Sequence, residues 1–203
     1  MADIRDESGS MPRAETAPFR QEVCGYTFWH ILMLDNPFRR LFQDPKKILD
    51  GHIRPGMTAI DIGCGPGDFT RAMAAMAGES GRVIAIDLQK EMLLHAQDKC
   101  KNDRSAAPIT WHQCGPDTLG IMAAADFVLS FYMVHEVPDQ SRLFREVFTL
   151  LKPDGKYLVV EPVFHVTDEA FAATLAAAKQ AGFRVAGQPA LSLCRAVLLE
   201  RAA

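Results

Sequence analysis

The sequence predicts a doubly wound α/β fold, with a mostly parallel seven-stranded sheet and an antiparallel last strand. Two observations support this prediction. From Met57 onward, short apolar runs alternate with segments of helical spacing, as parallel strands joined by helices require. Near the end of the chain, two apolar runs follow each other across a gap too short for a helix, which favours antiparallel pairing.

The first half of the pattern begins with a buried strand, MTAIDI at residues 57–62, which ends at a glycine-rich loop. The helix predicted at 68–78 places Phe69, Met73 and Met76 on one side. The elements that follow are a strand at 82–87, a helix at 90–101 and a strand at 109–113.

The second half of the pattern starts with the strand DFVLSF at residues 126–131. The helix predicted at 140–151 turns Leu143, Val147 and Leu150 inward, and a Lys-Pro-Asp-Gly turn follows it. The last elements are a strand at 156–161, an alanine-rich helix at 168–182, and two strands at 183–188 and 194–200.

Composition limits the class of protein. The 203 residues suit one sizeable domain, and 48% hydrophobic with 23% charged residues is ordinary for a soluble globular protein. The net charge of −3 gives no electrostatic footprint of nucleic-acid binding. No run approaches the roughly 18 apolar residues that a membrane span needs. The five cysteines are odd in number and form no CxxC motif, which favours a reducing cytoplasm.

We expect three regions along the chain. Residues 1–18 mix both signs of charge and are predicted to form a flexible arm. Residues 19–56 are aromatic and apolar, and are predicted to form a helical cap over the active site. Residues 57–203 form the main domain. Exposed apolar surface on the cap would favour a homodimer.

The loop GCGPG supplies Gly63, Gly65 and Gly67 directly after the first strand and opens the next helix. Glycines this close together indicate a sharp turn that lets a ligand approach the backbone. The second strand ends in Asp87, 24 residues beyond Gly63, where a carboxylate can bind both ribose hydroxyls of a nucleoside. Leu88, the next residue, offers an apolar face for the nucleobase of that nucleoside.

The spacing of the glycines in the loop distinguishes a dinucleotide from a nucleoside that carries an amino-acid tail. A dinucleotide-binding loop reads GxGxxG, whereas this loop reads GxGxG and follows Asp61. The Asp61 carboxylate would repel a pyrophosphate but would suit the ammonium of an amino-acid tail. These features favour S-adenosylmethionine as the cofactor, with a NAD-type oxidoreductase as the alternative.

Four segments make the resemblance specific: GMTAIDIGCGPGDFT, VIAIDLQKEML, DFVLSFYMVHEVPD and LLKPDGKYLVVEP. Over about residues 45–200 the chain resembles the class I S-adenosylmethionine-dependent methyltransferases. It looks closest to their small-molecule branch, which includes type 11 and quinone-biosynthesis-like enzymes. The resemblance implies a Rossmann-like methyltransferase fold and transfer of a methyl group to a small molecule.

The resemblance also implies roles for individual residues. Asp61 and the three glycines would cradle the methionine part, Asp87 would hold the ribose, and Leu88 would pack on adenine. Ser130 and Phe131 would line the methionine side. Where the family often has an adenine-binding acid, this chain has Gly115, with Asp117 two residues later. Backbone groups there are therefore expected to replace the acid.

The acceptor end is expected at the carboxyl ends of the fourth and fifth strands. His135 and Glu136 are the candidate catalytic residues, because a base helps when the acceptor is a hydroxyl or an acidic carbon. His135 could equally cap the strand end. Glu161 and His165 are predicted to line the substrate pocket. The spacing of these four residues matches no known ligand motif, so no metal is predicted.

Tyr26, Trp29 and Tyr132 are the aromatic residues predicted to complete the substrate pocket. Packing of the amino-terminal helices on the sheet explains Trp29 equally well. Besides the oxidoreductase, a third hypothesis is a nonenzymatic protein that binds S-adenosylmethionine. The sequence predicts no nucleic-acid partner and leaves the methyl acceptor open.

Overall fold

A computed structural model describes residues 43–101 and 106–202. The predicted arm at 1–18 lies outside these residues, as does most of the predicted cap. Tyr26 and Trp29 lie there too, so their assignment to the substrate pocket remains a prediction.

The described residues form five α-helices and seven strands. The helices are α1 (Pro45–Leu49), α2 (Asp68–Ala77), α3 (Lys90–Cys100), α4 (Gln140–Leu150) and α5 (Asp168–Gln180). The strands are β1 (Thr58–Ile62), β2 (Arg82–Asp87), β3 (Ile109–Gln113), β4 (Ala125–Phe131), β5 (Leu151–Pro162), β6 (Phe183–Gly187) and β7 (Cys194–Arg201). A short 3₁₀ turn, Val134–Glu136, follows β4.

All seven strands join one sheet in the order β3-β2-β1-β4-β5-β7-β6. The pairs from β3 to β5 are parallel, and β7 is antiparallel to both β5 and β6. The predicted fold class is therefore confirmed. The strand order reverses between β1 and β4, so a crevice is expected at their carboxyl ends, which is where the glycine loop lies.

One strand begins earlier than the sequence predicts. The predicted Lys-Pro-Asp-Gly turn is part of β5, where Ala125 pairs with Leu151 and Phe127 then pairs with Lys156. The register shift absorbs a segment whose Pro153 lacks the N–H that a regular ladder needs. The site is unaffected, because the shift lies at the opposite end of the strand.

Apolar side chains cover both faces of the sheet. One face buries Ile60, Phe144 and Tyr157, and the other buries Met73 and Phe127. Such a two-faced core explains why β1, β4 and β5 read as continuous apolar runs rather than alternating ones. Within the described residues, no helix is long and apolar enough to cross a membrane.

Candidate active site

The three glycines of the loop have different surroundings. Gly63, Gly65 and Gly67 all have a left-handed φ, of +69°, +50° and +83°. A Cβ added at Gly63 would lie 2.9 Å from Met133, and one at Gly67 would lie 2.7 Å from Ala96. Beside Gly65, no described atom lies within 4 Å of the added Cβ. Close packing therefore requires the outer two glycines, while the middle one borders open space.

Asp87 joins the end of β2 to the glycine loop. Its Oδ2 accepts a hydrogen bond from the amide of Gly65 at 2.8 Å, and its Oδ1 accepts one from the amide of Gln89 at 2.9 Å. Burial raises the pKa of this carboxyl, and the backbone amides of Gln89, Gly65 and Leu88 oppose that rise. Each carboxylate oxygen has a second lone pair, so the side chain retains capacity to accept bonds from a ligand.

Asp61 lies within β1 with only 2% of its surface exposed. The hydroxyl of Thr70, in the first turn of α2, donates to its Oδ2 at 2.5 Å. Burial raises the pKa of Asp61 to about 7, and the negative field of Asp87 adds to the rise. Neither carboxylate forms an ion pair with another described residue, so this part of the site favours a ligand that carries positive charge.

The residues predicted to contact adenine lie at the carboxyl end of β2 and β3. Leu88 is half-buried, and its carbonyl accepts from the side chain of Gln113 at 3.1 Å. The amide of Gly115 donates to the carbonyl of Thr118 at 3.1 Å. Asp117 is exposed and pairs with Arg142 at 3.1 Å, so its carboxylate is already engaged on the surface.

Ser130, near the end of β4, was predicted to line the methionine side of the cofactor site, and the structure gives its side chain a different environment. Its side chain is fully buried and shares a 2.8 Å hydrogen bond with the hydroxyl of Tyr157. The Ser130 hydroxyl therefore belongs to the core rather than to the surface of a ligand site. The ring of Phe131 packs between those of Phe69 and Tyr132 at a tilt of about 30°, with ring centroids 4.3 Å apart in each pair.

His135 and Glu161 form the central pair of the acceptor end. Nδ1 of His135 is hydrogen-bonded to Oε2 of Glu161, while Oε1 accepts from the amides of Val134 at 2.9 Å and His135 at 3.3 Å. The Glu161 side chain is 1% exposed and the His135 side chain 26%. Glu161 thus binds the Nδ1 side of the His135 ring from within the core. The sequence predicted instead a carboxylate that lines the substrate pocket.

The other predicted acceptor residues surround this pair. Glu136 is 57% exposed at its side chain, with Oε1 4.0 Å from Nε2 of His135. His165 is exposed, and its ring centroid lies 6.2 Å from that of His135. Among the described residues, no group of three or more His, Cys, Asp or Glu side chains is arranged to hold a metal ion.

Tyr132 lies between the end of β4 and the turn that carries His135. Its φ of +62° is unusual for a bulky residue and turns the chain sharply after β4. Its hydroxyl lies 3.0 Å from Sγ of Cys194, and the side-chain amide of Gln43 donates to the same hydroxyl. The pairing of Pro162 with Cys194 brings the start of β7 to this end of the sheet.

Sequence reasoning missed four residues at this site. Thr70 and Met133 touch the glycine loop region, and Gln43 and Cys194 contact Tyr132. Only Thr70 carried a local signal, since it lies on the first turn of the helix that the loop opens. The contacts of the other three depend on elements far apart in sequence.

Comparisons with known proteins agree with this geometry. Residues 59–155 match the family model described as "Methyltransferase domain". The ubiquinone/menaquinone biosynthesis C-methyltransferase UbiE of Vibrio vulnificus is 31% identical over 115 residues, which cover 55% of this chain and 44% of that protein. The demethylmenaquinone methyltransferase of Lactobacillus johnsonii is 33% identical over 110 residues, which cover 54% of this chain and 45% of that protein.

A solved structure resembles the whole fold. The SAM dependent methyltransferase from Aquifex aeolicus superposes with a TM-score of 0.73 at 24% identity, covering 84% of this chain and 96% of that one. By contrast, the matched segment spans less than half the length of the curated relatives. The glycine loop and both buried carboxylates thus lie in the segment that matches the methyltransferase-domain model, and the seven-stranded sheet agrees with the fold of the solved methyltransferase.

Proposed function

We propose that the chain is an S-adenosylmethionine-dependent methyltransferase that acts on a small-molecule acceptor. The observation that carries this proposal is the open space beside Gly65, in a loop that is hydrogen-bonded to the buried Asp87 and follows the buried Asp61 along the chain. Neither carboxylate has a cationic partner in the described part of the chain. A pyrophosphate would place negative charge against both carboxylates, so a NAD-type ligand suits the site poorly.

The residues present fit S-adenosylmethionine. Asp61 would hold the ammonium of the methionine part, directly or through water, and Asp87 would accept from the ribose hydroxyls. Leu88 and the backbone near Gly115 would contact the adenine. When bound, S-adenosylmethionine supplies a methyl group on a positively charged sulfur, so the protein mainly positions the acceptor and excludes water.

The chain's own residues supply the remaining functions. The packed rings of Phe69, Phe131 and Tyr132 form an aromatic wall at the carboxyl end of β4. His135 lies on the turn that follows, and the partial exposure of its side chain allows a substrate to reach it. We assign it the role of general base.

Two exposed apolar side chains favour an acceptor with apolar character. Phe164 is 77% exposed and Leu193 is 49% exposed. The amide of Val163 donates to the carbonyl of Leu193 at 3.2 Å, which joins the two loops that carry these side chains. The quinone-related names of the curated relatives agree with such an acceptor.

The cysteine pattern favours the cytoplasm as the proposed compartment, and the homodimer remains a prediction.

Calorimetric titration tests the cofactor, with S-adenosylhomocysteine as the probe and NAD as the control. We expect binding of the first and none of the second. Binding of NAD alone would replace the proposal with the oxidoreductase. A separate assay uses S-adenosylmethionine as the methyl donor and a panel of apolar hydroxyl compounds as acceptors. Binding of S-adenosylhomocysteine without methyl transfer in that assay would favour the nonenzymatic protein.

Gly65→Ala should weaken S-adenosylhomocysteine binding at least about tenfold, because its Cβ would enter the open space of the loop. Gly51→Ala is the matched control, since Gly51 has a φ of +75° and also has no described atom near an added Cβ. Both variants carry comparable backbone strain, so only Gly65→Ala should lose affinity. Equal affinities in the two variants would mean that the ligand binds elsewhere.

A further inference from the structure

We infer that Glu161 is a positioning residue that fixes His135 with its proton on Nδ1 and leaves Nε2 as the proton acceptor. The site would then serve acceptors that must lose a proton, namely hydroxyls and acidic C–H groups. This inference rests on the proposed methyl transfer for its chemistry, but the arrangement of the ring can be tested without it.

The first argument is the way the Glu161 carboxylate is used. Both of its oxygens are directed at the segment that carries His135: Oε1 to the amides of Val134 and His135, and Oε2 to the imidazole. A buried carboxylate is costly unless it is paired and hydrogen-bonded. An ionised Glu161 therefore favours a donor at Nδ1, so a neutral His135 must carry its proton there.

The second argument concerns charge. Glu161 is the main cause that raises the pKa of His135, partial burial opposes it, and Glu136 adds a smaller rise. The charged groups facing the ring are thus two carboxylates, with His165 as the neighbouring imidazole. An imidazolium formed at this position is stabilised, as a base that receives a proton during the reaction requires.

The reaction balances with these groups. The acceptor's oxygen or carbon forms a bond to the methyl carbon, and the sulfur–methyl bond breaks with its electron pair going to sulfur. The acceptor's proton goes to Nε2 of His135, and the charge on the ring is balanced by Glu161. A thioether acceptor has no proton to give and would gain nothing from this pair.

Nitrogen-15 NMR of the histidine rings in the full chain tests the inference. The chain has six histidines, and loss of one signal set in His135→Asn assigns the ring. We expect a neutral ring protonated at Nδ1 and a pKa above the usual value. Glu161→Gln should lower that pKa, because it removes the charge while keeping an oxygen that can accept from the amides.

Glu200→Gln is the matched control. Glu200 is another carboxylate of the sheet, with a side chain that is 13% exposed and ion pairs to Lys156 and Arg184. It pairs with Lys156 in the middle of β5, whereas Glu161 lies one residue before the end of that strand. Its substitution should leave the pKa of His135 unchanged, which separates a local effect from general destabilisation.

Two results would overturn the inference: a neutral His135 protonated at Nε2 in the wild-type chain, or an unchanged His135 pKa in a folded Glu161→Gln variant. The wild-type measurement decides the question even where the variant does not fold. Failure of S-adenosylhomocysteine to bind would remove the proposed function without altering the ring, so the two failures are distinguishable.

Once a methyl acceptor is identified, the pH dependence of kcat/KM provides a second test. The base must be neutral, so kcat/KM should rise with pH through the raised pKa of His135 and level off above it. In Glu161→Gln the plateau should fall about 10²-fold or more, and the rising limb should move to lower pH. A plateau loss with no shift of the limb would contradict the positioning role.

Discussion

Three buried carboxylates lie at the carboxyl end of the sheet, and each is held differently. Asp61 is stabilised by the hydroxyl and the amide of Thr70, Asp87 by three backbone amides, and Glu161 by two amides and an imidazole. The fewer donors a buried carboxylate has, the more its charge costs. Asp61, with its pKa raised to about 7, is therefore the group most in need of a cationic ligand.

Asp61→Asn should stabilise the ligand-free protein at pH 8, by about 2–4 kcal/mol in the free energy of unfolding. A raised folded-state pKa means that the folded chain holds a proton that the unfolded chain releases. The Asp61 carboxyl therefore costs no stability below about pH 4, its cost grows as the pH rises from about 4 to 7, and it reaches its full value above pH 7. Urea titrations at pH 4 and pH 8 measure this difference.

The gain in stability should be matched by a loss of function, because Asp61→Asn should bind S-adenosylhomocysteine more weakly. Asp126→Asn provides the contrast, since Asp126 pairs with Lys152 at 2.7 Å and accepts from the amide of Thr58 at 2.8 Å. That variant should lose stability at pH 8. A destabilised Asp61→Asn protein would show that the carboxylate is already compensated.

At the level of elements, the segment after β4 links the two halves of the site. The amide of Tyr132 still bonds to the carbonyl of Val160 at 2.8 Å, and its left-handed φ then turns the chain away. Met133 follows and packs over Gly63, while Val134 and His135 are bound by Glu161. One short segment therefore contacts the glycine loop and also carries His135.

Helix α5 begins just after the loop that carries His165. The hydroxyl of Thr167 accepts from the amide of Ala170 at 3.2 Å and caps the helix. Thr167→Ala should lower the free energy of unfolding by about 1 kcal/mol, because an amide of the first turn loses its partner. Thr167→Ser should retain most of the stability. Thermal melts of the two variants check this, and equal melting temperatures would contradict the capping role.

At the level of the whole molecule, the strand order creates the site. The order β3-β2-β1-β4-β5 brings the ends of five strands, far apart in sequence, to one edge. Antiparallel β7 adds its first residue, Cys194, to the same edge beside Pro162. The proposed ligand-binding residues thus come from many elements, so occupancy of the site should stabilise the fold as a unit.

S-adenosylhomocysteine at 100 times its dissociation constant should stabilise the folded chain by about 2.7 kcal/mol. For a chain of this size that corresponds to a rise of about 5–10 °C in melting temperature. NAD at the same concentration should cause no rise, and Gly65→Ala should lose the response to S-adenosylhomocysteine. A rise with both ligands would indicate nonspecific binding.

Local patterns predicted the elements well and the environments of single side chains less well. The glycine loop, Asp61 and Asp87 carry chemistry that depends on residues close in sequence, so their grouping was predictable. Ser130 and Glu161 were expected to face a ligand, yet both are fully buried. Their environments depend on Tyr157 and on the turn after β4, which become neighbours only when β4 pairs with β5.

The sequence by itself determined the parallel sheet, the position of the glycine loop and the chemical class of the proposed cofactor, because hydrophobic periodicity and short motifs are local properties. Only the tertiary structure showed that Gly65 borders open space while Gly63 and Gly67 are packed, and that Glu161 binds His135 from within the core. Those features depend on distances between strands and loops separated by many residues, and a linear pattern carries no such distances.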